Sequence, residues 1–126
     1  MNNLVSDVYN KKISSIKIGN GIYKIKFAKF IKHADKSIKL SKEEAVIGKA
    51  SIFPNRNKHI ITLRKDIKKE KRPFILYHEI SHAIFHEMTQ LPNDERTKII
   101  FKEFNNNENI VNNLTNILIT LEGNSK

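Results

Sequence analysis

The hydrophobic pattern changes period at Pro73, and that change limits the fold more than any other feature of the chain. Upstream of it, apolar residues recur at alternate positions. In 22–27, Tyr23, Ile25 and Phe27 interleave with Ile22, Lys24 and Lys26, the pattern of a half-buried strand. The Ile-rich stretch 13–18 precedes it. Gly19-Asn20-Gly21 lies between them and tolerates the positive φ of tight hairpin turns, so a β-hairpin is predicted. Residues 46–53 (VIGKASIF) and 58–64 (KHIITLR) make a second strand pair around the turn-forming Pro54-Asn55-Arg56-Asn57. Residues 28–45 are charged and read as loop, with a short helix near Ser41, where Ser41-Lys42-Glu43-Glu44 resembles a capping box. His33 and His59 fall in basic segments and are expected to be exposed.

Downstream the period is helical. Pro73 suits a first helical turn, where its missing N–H costs nothing. At 100° per residue, Leu76, Tyr77, Ile80, Ala83, Ile84, Phe85 and Met88 cover a broad apolar arc, which implies a helix packed on more than one side. Tyr77 is read as core. The narrow remaining sector holds His78, Glu79, His82 and His86. Leu91-Pro92-Asn93-Asp94 reads as a turn, 94–104 as a short helix, and Asn105-Asn106-Asn107 as a polar loop or the start of the next helix. In the last helix Ile110, Val111, Leu114, Ile117, Leu118 and Leu121 form an apolar face that should pack on the helix after Pro73.

His78-Glu79-Ile80-Ser81-His82 is an H-E-x-x-H sequence. Residues i and i+4 share a helix face, so two imidazoles there can converge on one Zn²⁺. Glu79 lies at the edge of that face, placed to take a proton from water at the metal and return one to a leaving amine. Such a site needs a third protein ligand. The chain has no cysteine, so that ligand must be His or a carboxylate. Downstream carboxylates are Glu87, Asp94, Glu95, Glu103, Glu108 and Glu122. Glu87 is on the same helix but points away from the histidines. Glu108, in the first turn of the last helix, is favoured there by the helix dipole and is placed ahead of Glu103. His86, one turn beyond His82, is open to three roles: orienting Glu79, meeting the oxyanion, or a helix-end histidine.

The 126 residues suit a single domain spanning 1–126. No apolar run is long enough to cross a membrane, and MNNLVSDVYN lacks the features of a secretory leader, so a cytoplasmic location is expected. The formal charge of +10 is uneven: residues 1–72 hold 19 Lys/Arg against 6 Asp/Glu, and residues 73–126 hold 4 against 7. A basic half invites a nucleic-acid partner. Ile, Lys and Asn fill 54 positions, a bias expected of AT-rich coding, so a nucleic-acid partner is possible but not favoured by the charge.

His78-Glu79-Ile80-Ser81-His82-Ala83-Ile84-Phe85-His86 following Ile-rich strands resembles the ImmA/IrrE family of zinc metallopeptidases, including small versions carried by phages and mobile elements. Glu108-Asn109-Ile110-Val111-Asn112-Asn113-Leu114-Thr115-Asn116-Ile117-Leu118 is similar to that family's later E-x-x-A-N-x-F-A-x-x-L helix. Val111, Leu114 and Thr115 differ at its Ala, Phe and Ala positions. The resemblance covers about residues 46–121. It implies His78, His82 and Glu108 as zinc ligands and Glu79 as general base. It also implies a zincin-like α+β fold, with a small antiparallel sheet beside the active-site helix and the C-terminal amphipathic helix. Its implied activity is zinc-dependent hydrolysis of a peptide bond in a protein, of the class of repressor-type regulators. The competing expectation is a non-catalytic zincin-like module that contacts nucleic acid or an acidic partner through the basic half.

Overall fold

β1 (Ser15–Ile18) and β2 (Gly21–Ala28) form the first expected hairpin. Ile18 pairs with Gly21 across a two-residue turn in which Gly19 has φ +57°. The structure is a computed structural model and describes residues 3–29, 48–53, 55, 57–90 and 94–124. The loop expected over 28–45, from residue 30 onward, lies outside the described residues, with its Ser41 helix and His33. β3 (Gly48–Ser51) and β4 (His59–Arg64) form the second antiparallel pair. Asn55 shapes the turn between them: its Oδ1 accepts the Asn57 N–H at 2.9 Å and its carbonyl accepts the Lys58 N–H at 3.0 Å.

The sheet is mixed, which corrects the expected antiparallel arrangement. Its order is β1-β2-β4-β3, and β2 runs parallel to β4. The cause lies in the inward residues. Tyr23 and Ile25 register against His59 and Ile61, and Phe27 against Leu63, so the two most apolar strand faces become neighbours. β3, with only Gly, Lys, Ala and Ser, goes to the edge. Parallel neighbours need a crossover of a dozen or more residues, which the stretch between Ala28 and β4 supplies. The same register corrects the expectation for His59. It shares strand parity with Ile61 and Leu63, faces inward opposite Tyr23, and is 1% exposed.

A single 3₁₀ turn (Lys69–Lys71) leads into the long central helix. The helices are α1 (Leu4–Tyr9), α2 (Arg72–Thr89), α3 (Glu95–Asn105) and α4 (Glu108–Asn124). The sequence pattern did not reveal α1. It is held by Asn3, whose Oδ1 accepts the Ser6 N–H, by buried Val5 and Val8, and by Arg72 lying 4.7 Å over the Tyr9 ring. α2 packs on the sheet on one side and on α3 and α4 on the other, which explains its broad apolar arc. Tyr23, Ile61, Leu63, Leu76, Ala83 and Val111 are sealed from solvent, each of the larger ones worth about 1.5–3 kcal/mol of burial. Ser81 and Thr115, both fully buried, meet at 3.2 Å and each also donates to its own helix carbonyl. Their small size lets α2 and α4 approach closely. No described helix is long and apolar enough to cross a membrane.

Candidate metal centre

The close α2–α4 packing brings the start of α4 over the polar stripe of α2. Asn107 caps α4, its Oδ1 accepting the N–H groups of Asn109 and Ile110. Glu108 is then the first residue of the helix and reaches both imidazoles. His78 Nε2 lies 3.4 Å from Glu108 Oε2, and His82 Nε2 lies 3.7 Å from Oε1. These separations are long for N–H···O hydrogen bonds. They suit ligand atoms on a common ion: Zn–N bonds of about 2.0–2.1 Å in a tetrahedron place neighbouring donors roughly 3.4 Å apart.

Proton placement points the same way. Asn105, the last residue of α3, sets its Oδ1 2.6 Å from His82 Nδ1. An amide oxygen only accepts, so Nδ1 carries a proton, and in the neutral ring Nε2 then keeps a lone pair. That lone pair faces a Glu108 carboxylate oxygen, an arrangement in which a cation can sit between the two. α3 is seated for this task by the Phe85, Phe101 and Phe104 rings, whose centroids are 5.6–6.4 Å apart. His78 has a comparable neighbour. Burial, the largest cause, and His82 hold the His78 pKa below the usual imidazole value, opposed by Glu108 and by the Asn112 side chain. His78 Nδ1 and Asn112 Oδ1 are both buried without a completed hydrogen bond, so an Nδ1 proton on His78 has an acceptor at hand. Asn105→Leu should weaken metal binding about 10–100-fold, with Asn105→Asp retaining it. Chelator competition measures both, and unchanged affinity in the Leu variant would remove Asn105 from this role.

Glu79 is 6% exposed and lies against the β3 edge. A Cβ on Gly48 would come within 2.9 Å of Glu79 Oε2 and 3.0 Å of its Cγ, so only glycine leaves room there. Burial raises the Glu79 pKa to about 8, Glu108 adds to the rise, and the Ala50 N–H opposes it. Glu79, the two histidines, Asn105, Glu108 and the β3 edge line one open cleft of about 360 Å³.

The other carboxylates lie elsewhere. Glu103 is exposed on α3 and outside the group. Asp94 caps α3, and its hydrogen bonds with Thr97 hold its pKa down. Glu95 pairs with Lys98, and burial, with Glu122 alongside, raises the Tyr77 pKa. Glu87 points away from His78 and His82, as expected, but into the core, where it joins His59 and His86. These three offer donor atoms within 4.8 Å of one another. The His59 ring argues against a cation there. Its Nδ1 accepts the Phe53 N–H at 3.0 Å, so a neutral ring carries its proton on Nε2, where a metal would need a lone pair. His86 meets the His59 ring edge-on at 5.5 Å between centroids and so belongs with this buried group.

Asn105, Gly48 and Ala50 were not singled out from the sequence. Nothing in local spacing marks them, because they act from elements other than α2, Asn105 from α3 and Gly48 and Ala50 from β3. Comparison of the chain with protein-family models, curated proteins and solved structures returns no match.

Proposed function

We propose that the protein is a zinc-dependent peptidase of zincin-like architecture, as its resemblance to the ImmA/IrrE peptidases implies. The observation that carries this reading is the convergence of the two α2 imidazoles on Glu108 beside a buried Glu79. The donor set of two imidazoles and one carboxylate is that of known catalytic zinc sites, with a position left for water or substrate. Bound zinc would polarise the scissile carbonyl and make the attacking water more acidic. His78, His82 and Glu108 would hold it, with Asn105 fixing the His82 tautomer.

The remaining steps belong to the chain's own groups. β3 is an edge strand of the sheet and borders the cleft, so an extended peptide can add alongside it through main-chain hydrogen bonds. With the charge of bound zinc offsetting burial and Glu108, Glu79 would be ionised and would accept a proton from the attacking water as its oxygen bonds to the carbonyl carbon. The carbon–nitrogen bond then breaks, and the proton on Glu79 passes to the departing amine nitrogen.

This reading expects one zinc per chain. Elemental analysis of purified protein dialysed against trace zinc should give one equivalent, and His82→Ala should abolish it. A wild-type chain that takes up no zinc, in parallel with a control zincin that does, overturns the proposal.

A further inference from the structure

None of the four strands contains an Asp or Glu. On the face of the sheet turned away from α2, Lys17, Lys24, Lys26 and Lys49 are all exposed. The register assembles them. Lys26 lies opposite Thr62, and Thr62 opposite Lys49, so these form one row across three strands. Lys24 lies two residues along β2, about 7 Å from Lys26, and Lys17 stands on β1 opposite Ile22. Towards the β3–β4 turn this face runs into a groove lined by Lys24, Phe53, Asn55, Asn57, Lys58 and Ile60. Phe53 is 43% exposed there. Its backbone is pinned by the hydrogen bond from its N–H to buried His59.

We propose that this face is a binding site for single-stranded nucleic acid, with the lysines on phosphates and the Phe53 groove taking a base. A row of cations without any interspersed carboxylate suits a polyanion, whose binding is driven by counterion release. The exposed ring supplies a stacking platform, and the Asn55 and Asn57 amides can meet the donor and acceptor edge of an unpaired base. An acidic protein surface would share the charge attraction, but a flat exposed ring beside a run of lysines matches the alternation of base and phosphate along a single strand. A duplex would hide the base faces from Phe53. Lys49 also borders the metal-centre cleft, but the site uses none of the proposed zinc ligands nor Glu79, and its test reads nucleic-acid binding alone, so it stands or falls separately from the peptidase reading.

The test is fluorescence anisotropy of the full chain with a labelled 20-nucleotide oligo-dT, titrated between 50 and 200 mM NaCl. The triple variant Lys24→Ala/Lys26→Ala/Lys49→Ala should lose at least roughly tenfold in affinity. Its slope of log affinity on log salt should flatten by about 0.7 for each phosphate contact removed. The control triple Arg96→Ala/Lys98→Ala/Lys102→Ala removes the same charge from α3 and should stay within about threefold of wild type. Phe53→Ala should weaken oligo-dT binding roughly fivefold or more while leaving duplex binding unchanged. Equal losses in the two triples would show diffuse charge attraction and overturn the proposal. So would the absence of binding at 50 mM NaCl, or a polyglutamate peptide bound as tightly as oligo-dT.

Discussion

Glu79→Gln is expected to keep zinc bound and to lose hydrolysis by about 10²–10⁴-fold, the contribution of a positioned general base. The substitution is nearly isosteric, which matters at this position. Glu79 is buried and lies close against Gly48 at the β3 edge. The amide can occupy the same volume but cannot take a proton from water at neutral pH. His78, His82 and Glu108 are untouched, so metal content should remain at one equivalent. The measurement is paired: elemental analysis of the variant, and cleavage of a quenched-fluorescent peptide library by variant and wild type. Full activity in the variant would remove Glu79 from the mechanism. Loss of both metal and activity would mean that Glu79 supports the site structurally.

Glu87→Ala should cost roughly 3–5 kcal/mol of folding stability, from lost packing plus stranded buried donors. Tyr23 donates its hydroxyl proton to Glu87 Oε2 at 2.7 Å, and both residues are buried. His59 Nε2, the nitrogen left with the proton, lies 3.9 Å from the same oxygen and completes no hydrogen bond. Removing the carboxylate therefore takes away an acceptor from one donor and the nearest negative charge from another, and opens space between α2 and the β1–β2 hairpin. Small domains have total stabilities of about 5–15 kcal/mol, so the variant should retain only a thin margin. Tyr23→Phe removes one hydrogen bond and should cost about 1–2 kcal/mol. Glu87→Gln keeps an acceptor oxygen and should fall between wild type and Glu87→Ala. Urea denaturation of the three variants checks the order. A Glu87→Ala midpoint equal to that of wild type would show that the buried carboxylate does not hold the hairpin to α2.

Much of the secondary structure was legible because burial imposes its period directly on the chain. The inward residues of β2 alternate as written, and α2 extends only one residue beyond the expected segment at each end. α1 escaped notice because six residues carry too little periodicity, and its stability comes from docking against Arg72 and the core. The direction of pairing was also hidden. Each hairpin can be inferred from its turn, but how one hairpin sits against the other depends on which inward rows fit together. That fit made β2 and β4 parallel neighbours and drew His59 into the core beneath Tyr23. Its parity with Ile61 and Leu63 was a usable signal, outweighed in the reading by the surrounding basic residues.

The candidate site divides along the same line. His78, Glu79 and His82 share a helix face by α-helical geometry alone, so their arrangement follows from residue order. Which carboxylate approaches them does not, since Glu103 and Glu108 are the same residue type and only five residues apart. Packing of α4 against α2 through Ser81 and Thr115 brings Glu108 to the imidazoles and leaves Glu103 in solvent. Packing of α3 through its phenylalanines delivers Asn105 to His82, and pairing of β3 with β4 delivers the Ala50 amide to Glu79. Contacts within one helix turn are dictated by covalent spacing. Contacts between elements exist only once the apolar faces have chosen their partners, and no local pattern encodes that choice.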